Sequence, residues 1–178
     1  MITSGGAKDL VAQLIQAAGG EIVGRTKLQK IIYLLNLSGS FPGLSFEYRH
    51  YGPYSDDLTD ALRSAKAFGL ISEDEKVAGW GGRYSIFRSL SGQSLPSPNR
   101  FELEPLSSFV RKAASIGSIE LELAATAAFL KAAEGIENPW VETAKRKPEK
   151  ASPERLAAAQ SAYSELLALA PAGSLPDL

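Results

Sequence analysis

The chain has 178 residues, of which 44% are hydrophobic and 22% are charged, and its formal net charge is −1. These proportions are ordinary for a globular protein, and the length suffices for one large domain or two small ones. Cysteine is absent, which excludes disulfides, thiol nucleophiles and thiolate metal sites. Because no apolar run reaches the roughly 18 residues of a membrane span and the N-terminus lacks a signal peptide's features, we expect a cytoplasmic protein that does not enter membranes.

Charge is evenly distributed along the chain. Residues 1–90 hold ten Lys and Arg against nine Asp and Glu, and residues 91–178 hold nine against eleven. A dedicated nucleic-acid binder usually carries a basic excess or a basic stripe. The balance therefore favours a protein partner over DNA.

The first half of the chain predicts three helices. Apolar residues recur at helical spacing in residues 8–18 and again after Thr26, which is a candidate N-cap. Residues 46–51 alternate aromatic and polar side chains, which indicates a short strand. Gly52-Pro53 then predicts a turn, after which Ser55 is placed to cap the third helix.

A hairpin and a helical second half follow. Two predicted strands flank Gly79-Trp80-Gly81-Gly82, a glycine-rich tip, and three helices followed by such a hairpin indicate a winged helix. Proline-containing residues after Leu90 predict a linker, beyond which the pattern is helical. The predicted fold class is mainly α with a small β-hairpin. Its parts are a winged-helix-like domain (1–90), a linker (91–105), a C-terminal helical subdomain (106–170) and a flexible tail (171–178).

A family resemblance rests on an ordered set of motifs. Thr26-Lys27-Leu28-Gln29-Lys30, Tyr51-Gly52-Pro53-Tyr54-Ser55, Gly69-Leu70-Ile71 and Lys147-Pro148-Glu149-Lys150 together resemble the YwgA-like and SocA-type (Panacea) proteins. The resemblance covers about residues 8–168 and implies a winged-helix-like helical domain without catalytic function. Panacea members are associated with antitoxin activity through direct binding of a toxin. The implied partner is therefore a protein, and specifically a toxin.

Candidate chemistry is sparse. His50 is the only histidine, and a catalytic triad or metal site built on it needs aligned partners. We interpret it as a half-buried polar residue beside the Gly52-Pro53 turn. The Gly79-Trp80-Gly81-Gly82 tip lacks the lysine and the following helix that a phosphate-binding loop needs. We expect no enzymatic activity, no metal and no cofactor.

The predicted partner-binding surface combines tyrosines, carboxylates and one tryptophan. Tyrosines on an extended segment at this spacing cannot all share one face, so some must be exposed or at an interface. A tryptophan at a hairpin tip either folds back onto the body or meets a partner. The residues are Tyr48, Tyr51, Tyr54, Asp56, Asp57, Asp60 and Trp80.

The alternative function is that of a DNA-binding regulator. In a winged helix the third helix enters the major groove. Basic residues of the second and third predicted helices and of the hairpin could contact phosphate. Three aspartates at the start of the third helix oppose this, and the basic residues near Thr26 fit a solvated face opposite Leu28 and Ile31. A homodimer through the C-terminal helices is a further expectation. The candidate nucleic-acid-binding residues are Arg25, Lys27, Lys30, Arg63, Lys66 and Arg83.

Overall fold

The computed structural model describes residues 4–41, 43–90, 106–170 and 175–178. In these ranges the protein is mainly α-helical, with seven helices and five short strands in two antiparallel sheets. The predicted linker at 91–105 lies outside the described residues. The elements are α1 (Ser4–Ala17), β1 (Glu21–Val23), α2 (Arg25–Leu37), β2 (Glu47–Arg49), β3 (Gly52–Tyr54), α3 (Asp56–Ala67), β4 (Ile71–Val77), β5 (Arg83–Ser89), α4 (Ser107–Ser115), α5 (Ser118–Ala132), α6 (Pro139–Arg146) and α7 (Pro153–Leu169).

Helices α2 and α5 form the centre of the molecule. Residues 28–35 of α2 and 121–130 of α5 are buried without interruption, and the two helices pack against each other. The core continues from Leu10 in α1 to Leu175 near the end of the chain. The expectation that Lys30 lies on a solvated face of α2 is wrong, because α5 and the β2–β3 strands pack against that helix.

The larger sheet has the strand order β1-β5-β4. The predicted hairpin is present as β4 and β5, whose register places Glu73 opposite Phe87. Strand β1 was not predicted, since three residues are too short to show a periodicity. It is held by pairing with β5, which sets Ile22 opposite the buried Phe87.

The smaller sheet differs from the predicted turn. Strand β2 lies within the predicted 46–51 segment, but the turn is at His50 and Tyr51, and Gly52 and Pro53 belong to β3. Gly52 has a φ of 82°, a conformation that other residues rarely adopt. It is buried against α5, where a Cβ atom at this position would lie 2.5 Å from Thr126 Oγ1. The glycine thus permits close packing rather than forming the turn itself.

One of the two predicted helix caps is present, and the end of the chain packs against the core. Helix α2 begins one residue before the predicted cap Thr26, and its N-cap is Gly24. The predicted cap of α3 is present, because Ser55 Oγ accepts a hydrogen bond from the Leu58 amide at 3.2 Å. Within the predicted flexible tail, Leu175 is buried, and the Tyr163 hydroxyl donates to the Pro176 carbonyl at 2.7 Å. In the described ranges no helix combines the length and the apolar character that crossing a bilayer requires.

We predict that Gly52→Ala destabilises the protein by at least about 2 kcal/mol, because the alanine both strains the backbone and collides with Thr126. Gly69→Ala is the matched control, since Gly69 also has a positive φ of 69° but no atom within 4 Å of an added Cβ. It should cost about 1 kcal/mol from backbone strain alone. Urea unfolding measures both losses. Equal losses, or no recovery in Gly52→Ala/Thr126→Ala, would contradict the contact argument.

Candidate functional site

The side chain of Trp80 lies at the tip between β4 and β5 and is 82% exposed. The tip is closed by two backbone hydrogen bonds, from the Ala78 amide to the Gly82 carbonyl and from the Gly81 amide to the Ala78 carbonyl, both 2.8 Å. The indole ring rests over Gly82, where an added Cβ would be 1.7 Å from a ring carbon. The first of the two predicted alternatives, in which Trp80 folds back onto the body, therefore does not hold.

The three candidate tyrosines have different surroundings. Tyr48 is partly buried, with its ring centroid 5.8 Å from that of Phe129. Tyr54 is also partly buried, and its hydroxyl is 2.8 Å from the Thr59 hydroxyl. Tyr51, in the turn between β2 and β3, is 52% exposed. Of the three, Tyr51 therefore presents the largest surface to a partner.

The three candidate aspartates surround the start of α3. All three are exposed, and each also makes a contact within the chain. The Arg49 guanidinium donates to Asp56 at 2.6 Å, the Ser45 amide donates to Asp57 at 3.0 Å, and the Arg63 guanidinium donates to Asp60 at 2.8 Å. Asp57 thus has an amide rather than a cation as its hydrogen-bond donor, so this end of α3 carries an excess of negative charge.

The residues proposed for nucleic-acid contact are not gathered into one basic surface. Glu73, whose side chain is 6% exposed, forms ion pairs with both Arg25 and Lys66. Burial alone would raise the pKa of Glu73, but hydrogen bonds from Lys66 and Ser85 and the nearby Arg25 charge lower it below its usual value. The remaining positions are Lys27, which donates to the Ala114 carbonyl, Lys30, which is buried, Arg63, which pairs with Asp60, and Arg83, which lies 3.7 Å from Glu75.

Sequence reasoning missed a clamp between Gln29 and Ser55. The Gln29 side chain is 1% exposed. Its Nε2 donates to the Ser55 carbonyl and its Oε1 accepts from the Ser55 amide, each at 3.0 Å. The amide side chain thereby satisfies both backbone groups of the residue that caps α3. Gln29 and Ser55 belong to the first two motifs of the family resemblance, so those motifs hold α2 and the start of α3 together.

A second missed feature is a charged cluster beneath the β2–β3 turn, which we call the lysine anchor: the buried residues Lys30, Glu122 and Lys147 and the partly buried Lys150. Lys30 Nζ donates to the Pro53 carbonyl at 2.6 Å, and Lys147 Nζ donates to the His50 carbonyl at 3.0 Å. Glu122 Oε1 accepts from Lys147 at 2.7 Å and from Lys150 at 2.8 Å. The anchor therefore joins α2, α5 and the chain after α6 to the backbone of the β2–β3 hairpin.

The anchor holds three potential cations and one carboxylate in a site that excludes most water. The exposed fractions are 1% for Lys30, 2% for Lys147 and 3% for Glu122. Burial lowers the pKa of Lys30 to about 7; Glu122 opposes this shift, and the Lys147 and Lys150 charges add to it. One residue in the sequence could have indicated the anchor. Glu122 lies within the apolar stretch of α5, and a buried carboxylate there needs a cation partner.

The side chains of the anchor are bonded to backbone carbonyls or to each other. The Lys30 amine is hydrogen-bonded and buried, so a substrate cannot reach it in this conformation. His50 was expected to be half-buried, but its side chain is exposed, and its carbonyl is the group held by Lys147. Across the described ranges, no group of three His, Cys, Asp or Glu residues has the spacing to hold a metal ion.

We predict that Glu122→Gln lowers the free energy of unfolding by about 3–5 kcal/mol, because removing one partner leaves buried ammonium groups uncompensated. Glu120→Gln is the control, since it makes the same change two residues earlier on α5. It should shift stability by no more than about 1 kcal/mol. Urea unfolding at pH 7.5 measures both. A Glu122→Gln protein as stable as the control would refute the electrostatic role of the carboxylate.

No protein-family model matches the chain. The chain is similar to a curated protein called "Uncharacterized protein YwgA" from Bacillus subtilis (strain 168), with 29% identity over 108 residues and 60% of this chain covered. The chain spans 64% of the length of that relative. The similarity supports the YwgA-like part of the motif resemblance. The name of that relative states no activity.

Proposed function

We propose that this protein is a non-catalytic protein-interaction module with a winged-helix-like N-terminal half, and that it binds a partner protein through the Trp80 hairpin and residues 48–55. The observation that carries the proposal is the 82% exposure of Trp80 on a hydrogen-bonded tip. Tryptophan is enriched among the residues that dominate the binding energy of interfaces, because burying its ring removes much apolar surface from water.

The order of the elements supports the winged-helix-like part of the proposal. Helices α1, α2 and α3 precede the β4–β5 hairpin, and β5 pairs with the short strand β1 that lies between α1 and α2. The β2–β3 hairpin then reads as an insertion between α2 and α3. In this interpretation β4 and β5 form the wing, and Trp80 is at its tip.

The chemistry of the wing suits a protein partner. Val77 is 68% exposed and Tyr84 is 37% exposed, so the hairpin carries two further exposed apolar side chains, one on each of its faces. Tryptophan and tyrosine dominate the binding energy of many interfaces because they bury much area with few rotatable bonds. Arg83 and Glu75 nearby supply both signs of charge, which fits a mixed protein surface.

The proposed partner class follows from the motif resemblance. Panacea-type proteins bind toxins directly, so a toxin is the partner we propose, with this chain acting as an antitoxin-like module in the cytoplasm. Self-association through the C-terminal helices stays a prediction.

DNA binding is the second candidate, and the element order favours it while the charges do not. The start of α3 carries three exposed carboxylates, which would face the phosphate backbone in a groove-bound helix. Lys66 of the same helix is paired with Glu73. A protein partner therefore accounts for this surface better.

The first experiment is purification of a tagged chain from its native host, with and without nuclease, followed by mass spectrometry. We expect one stoichiometric protein that survives nuclease treatment. Recovery of nucleic acid, with proteins lost on digestion, would replace the proposal with the DNA-binding alternative.

With the partner identified, Trp80→Ala should weaken its binding by at least about 2 kcal/mol, or roughly 30-fold. The same change should alter the free energy of unfolding by less than about 0.5 kcal/mol. Phe68→Ala is the matched control, because Phe68 is an aromatic residue that is 70% exposed elsewhere on the surface. Calorimetry gives the affinities. Equal losses of affinity in the two variants would exclude a specific contact at the tip.

A triple variant, Asp56→Asn/Asp57→Asn/Asp60→Asn, separates the two candidates. Removing these charges should weaken a partner with a basic surface and strengthen any binding to duplex DNA, and both effects should shrink in high salt. Glu137→Gln/Glu149→Gln/Glu154→Gln is the control for net charge, since it also removes three carboxylates and all three residues are exposed and outside α3. Unchanged partner affinity in the triple variant would remove the aspartates from the proposed surface.

A further inference from the structure

The β2–β3 hairpin depends on contacts outside itself for its position. Each of its strands has three residues, and a two-stranded hairpin of that size is at best marginally stable alone. The lysine anchor contacts it through Pro53, through His50 and through Tyr51, whose ring centroid is 4.6 Å from Lys150 Nζ. Whatever changes the anchor will therefore change how firmly the hairpin is docked.

Lys30 is the member of the anchor that contacts strand β3. Its Nζ is bonded to the Pro53 carbonyl, and its Cε lies 3.8 Å from the point where a Cβ on Gly52 would be. The charged groups that act on it are Glu122 from α5 and Lys147 and Lys150 from the segment after α6. With the hairpin docked, the side chain has almost no access to water.

We propose that the β2–β3 hairpin is a proton-linked latch over Lys30, docked most firmly when the Lys30 amine is uncharged and released more often when that amine is protonated. Two costs oppose a charged Lys30 in the docked state, loss of hydration and repulsion from Lys147 and Lys150, and together they outweigh the attraction of Glu122. Opening the hairpin removes the first cost and lets water screen the second. The neutral amine keeps its hydrogen bond to Pro53 and bears neither cost.

The direction of the pH effect follows from the two states. Burial sets the pKa of Lys30 at about 7 in the docked state, whereas a hydrated lysine in the open state has an ordinary pKa of about 10.4. Between these values the open state binds more protons, so lowering the pH favours opening by up to about tenfold per pH unit. Below about pH 7 the amine is charged in both states, and the dependence disappears.

Hydrogen exchange of the full-length chain tests the latch. Quenched-flow exchange with mass spectrometry would follow the amides of residues 47–54, apart from Pro53, which has none, from pH 6 to pH 9.5, with each rate corrected for its intrinsic pH dependence. We expect protection of these amides to be flat below about pH 7 and to rise up to about tenfold per unit above it. The amides of β4 and β5 serve as the internal control and should not follow this course.

Three variants assign the effect to the amine. Lys30→Met removes the titrating group and should abolish the pH dependence of residues 47–54. The arginine in Lys30→Arg stays charged at every pH tested, so this variant should show weak protection that does not change with pH. It replaces Lys30→Met as the test if that variant does not fold. His50→Asn should keep the slope, because the exposed imidazole of His50 is not the group proposed to titrate.

Several results would overturn the latch. These are a pH-independent protection in the unmodified chain, an unchanged slope in the Lys30 variants, loss of the slope in His50→Asn, and equal changes in β4 and β5, which would indicate global unfolding instead of local opening. The idea that the latch controls access of a partner to Tyr51 rests on the proposed function. The exchange measurement itself needs no partner. Failure of partner capture and failure of the latch are therefore distinguishable.

Discussion

The contact on which much of this structure depends is the buried carboxylate of Glu122 with the ammonium groups of Lys147 and Lys150. Charges in a protein interior are costly unless they are paired and hydrogen-bonded, and Glu122 bonds to both lysines. Lys147 in turn holds the His50 carbonyl. A single carboxylate on α5 thus connects the C-terminal segment with a turn that lies some hundred residues earlier in the chain.

The two halves of the chain share one core, which is centred on the packing of α2 against α5. Helix α2 is surrounded by α5, α4, β1 and β3, so it has no solvated side over residues 28–35. A lysine on such a helix must find an acceptor inside, and Lys30 finds the carbonyl of Pro53. The motif residues Gln29 and Lys30 therefore act on the backbone of the second motif, at Ser55 and Pro53.

Two of the exposed aromatic residues, Trp80 and Tyr51, are presented by turns in different places. Trp80 is on the larger sheet and Tyr51 is on the smaller one, and each is presented by a turn whose backbone is fixed by hydrogen bonds or by the lysine anchor. Placing contact residues on held turns reduces the entropy lost on binding. The two positions differ in how they are held, since the Trp80 tip is closed by its own backbone while Tyr51 depends on distant charges.

Local patterns in the sequence were enough to predict the helical class, the cap at Ser55 and the pair of strands around Trp80. Each of these depends on residues close in the chain: apolar spacing, a serine before a helix, or glycines at a tip. The same holds for the motifs behind the resemblance to YwgA-like proteins. Strand β1 and the true turn at His50-Tyr51 were not predictable in this way, because three residues show no periodicity and the role of Gly52 depends on Thr126 of α5.

The surroundings of the charged residues were decided by the tertiary structure alone. Spacing along α2 placed Lys30 on the same side as Lys27 and suggested a solvated face, but α5 and the hairpin bury Lys30. Likewise, nothing near Lys147 in the sequence indicates that its ammonium group is buried and donates a hydrogen bond to Glu122. A charged side chain looks the same in sequence whether it faces water or a buried partner, because its environment is made by segments far away in the chain.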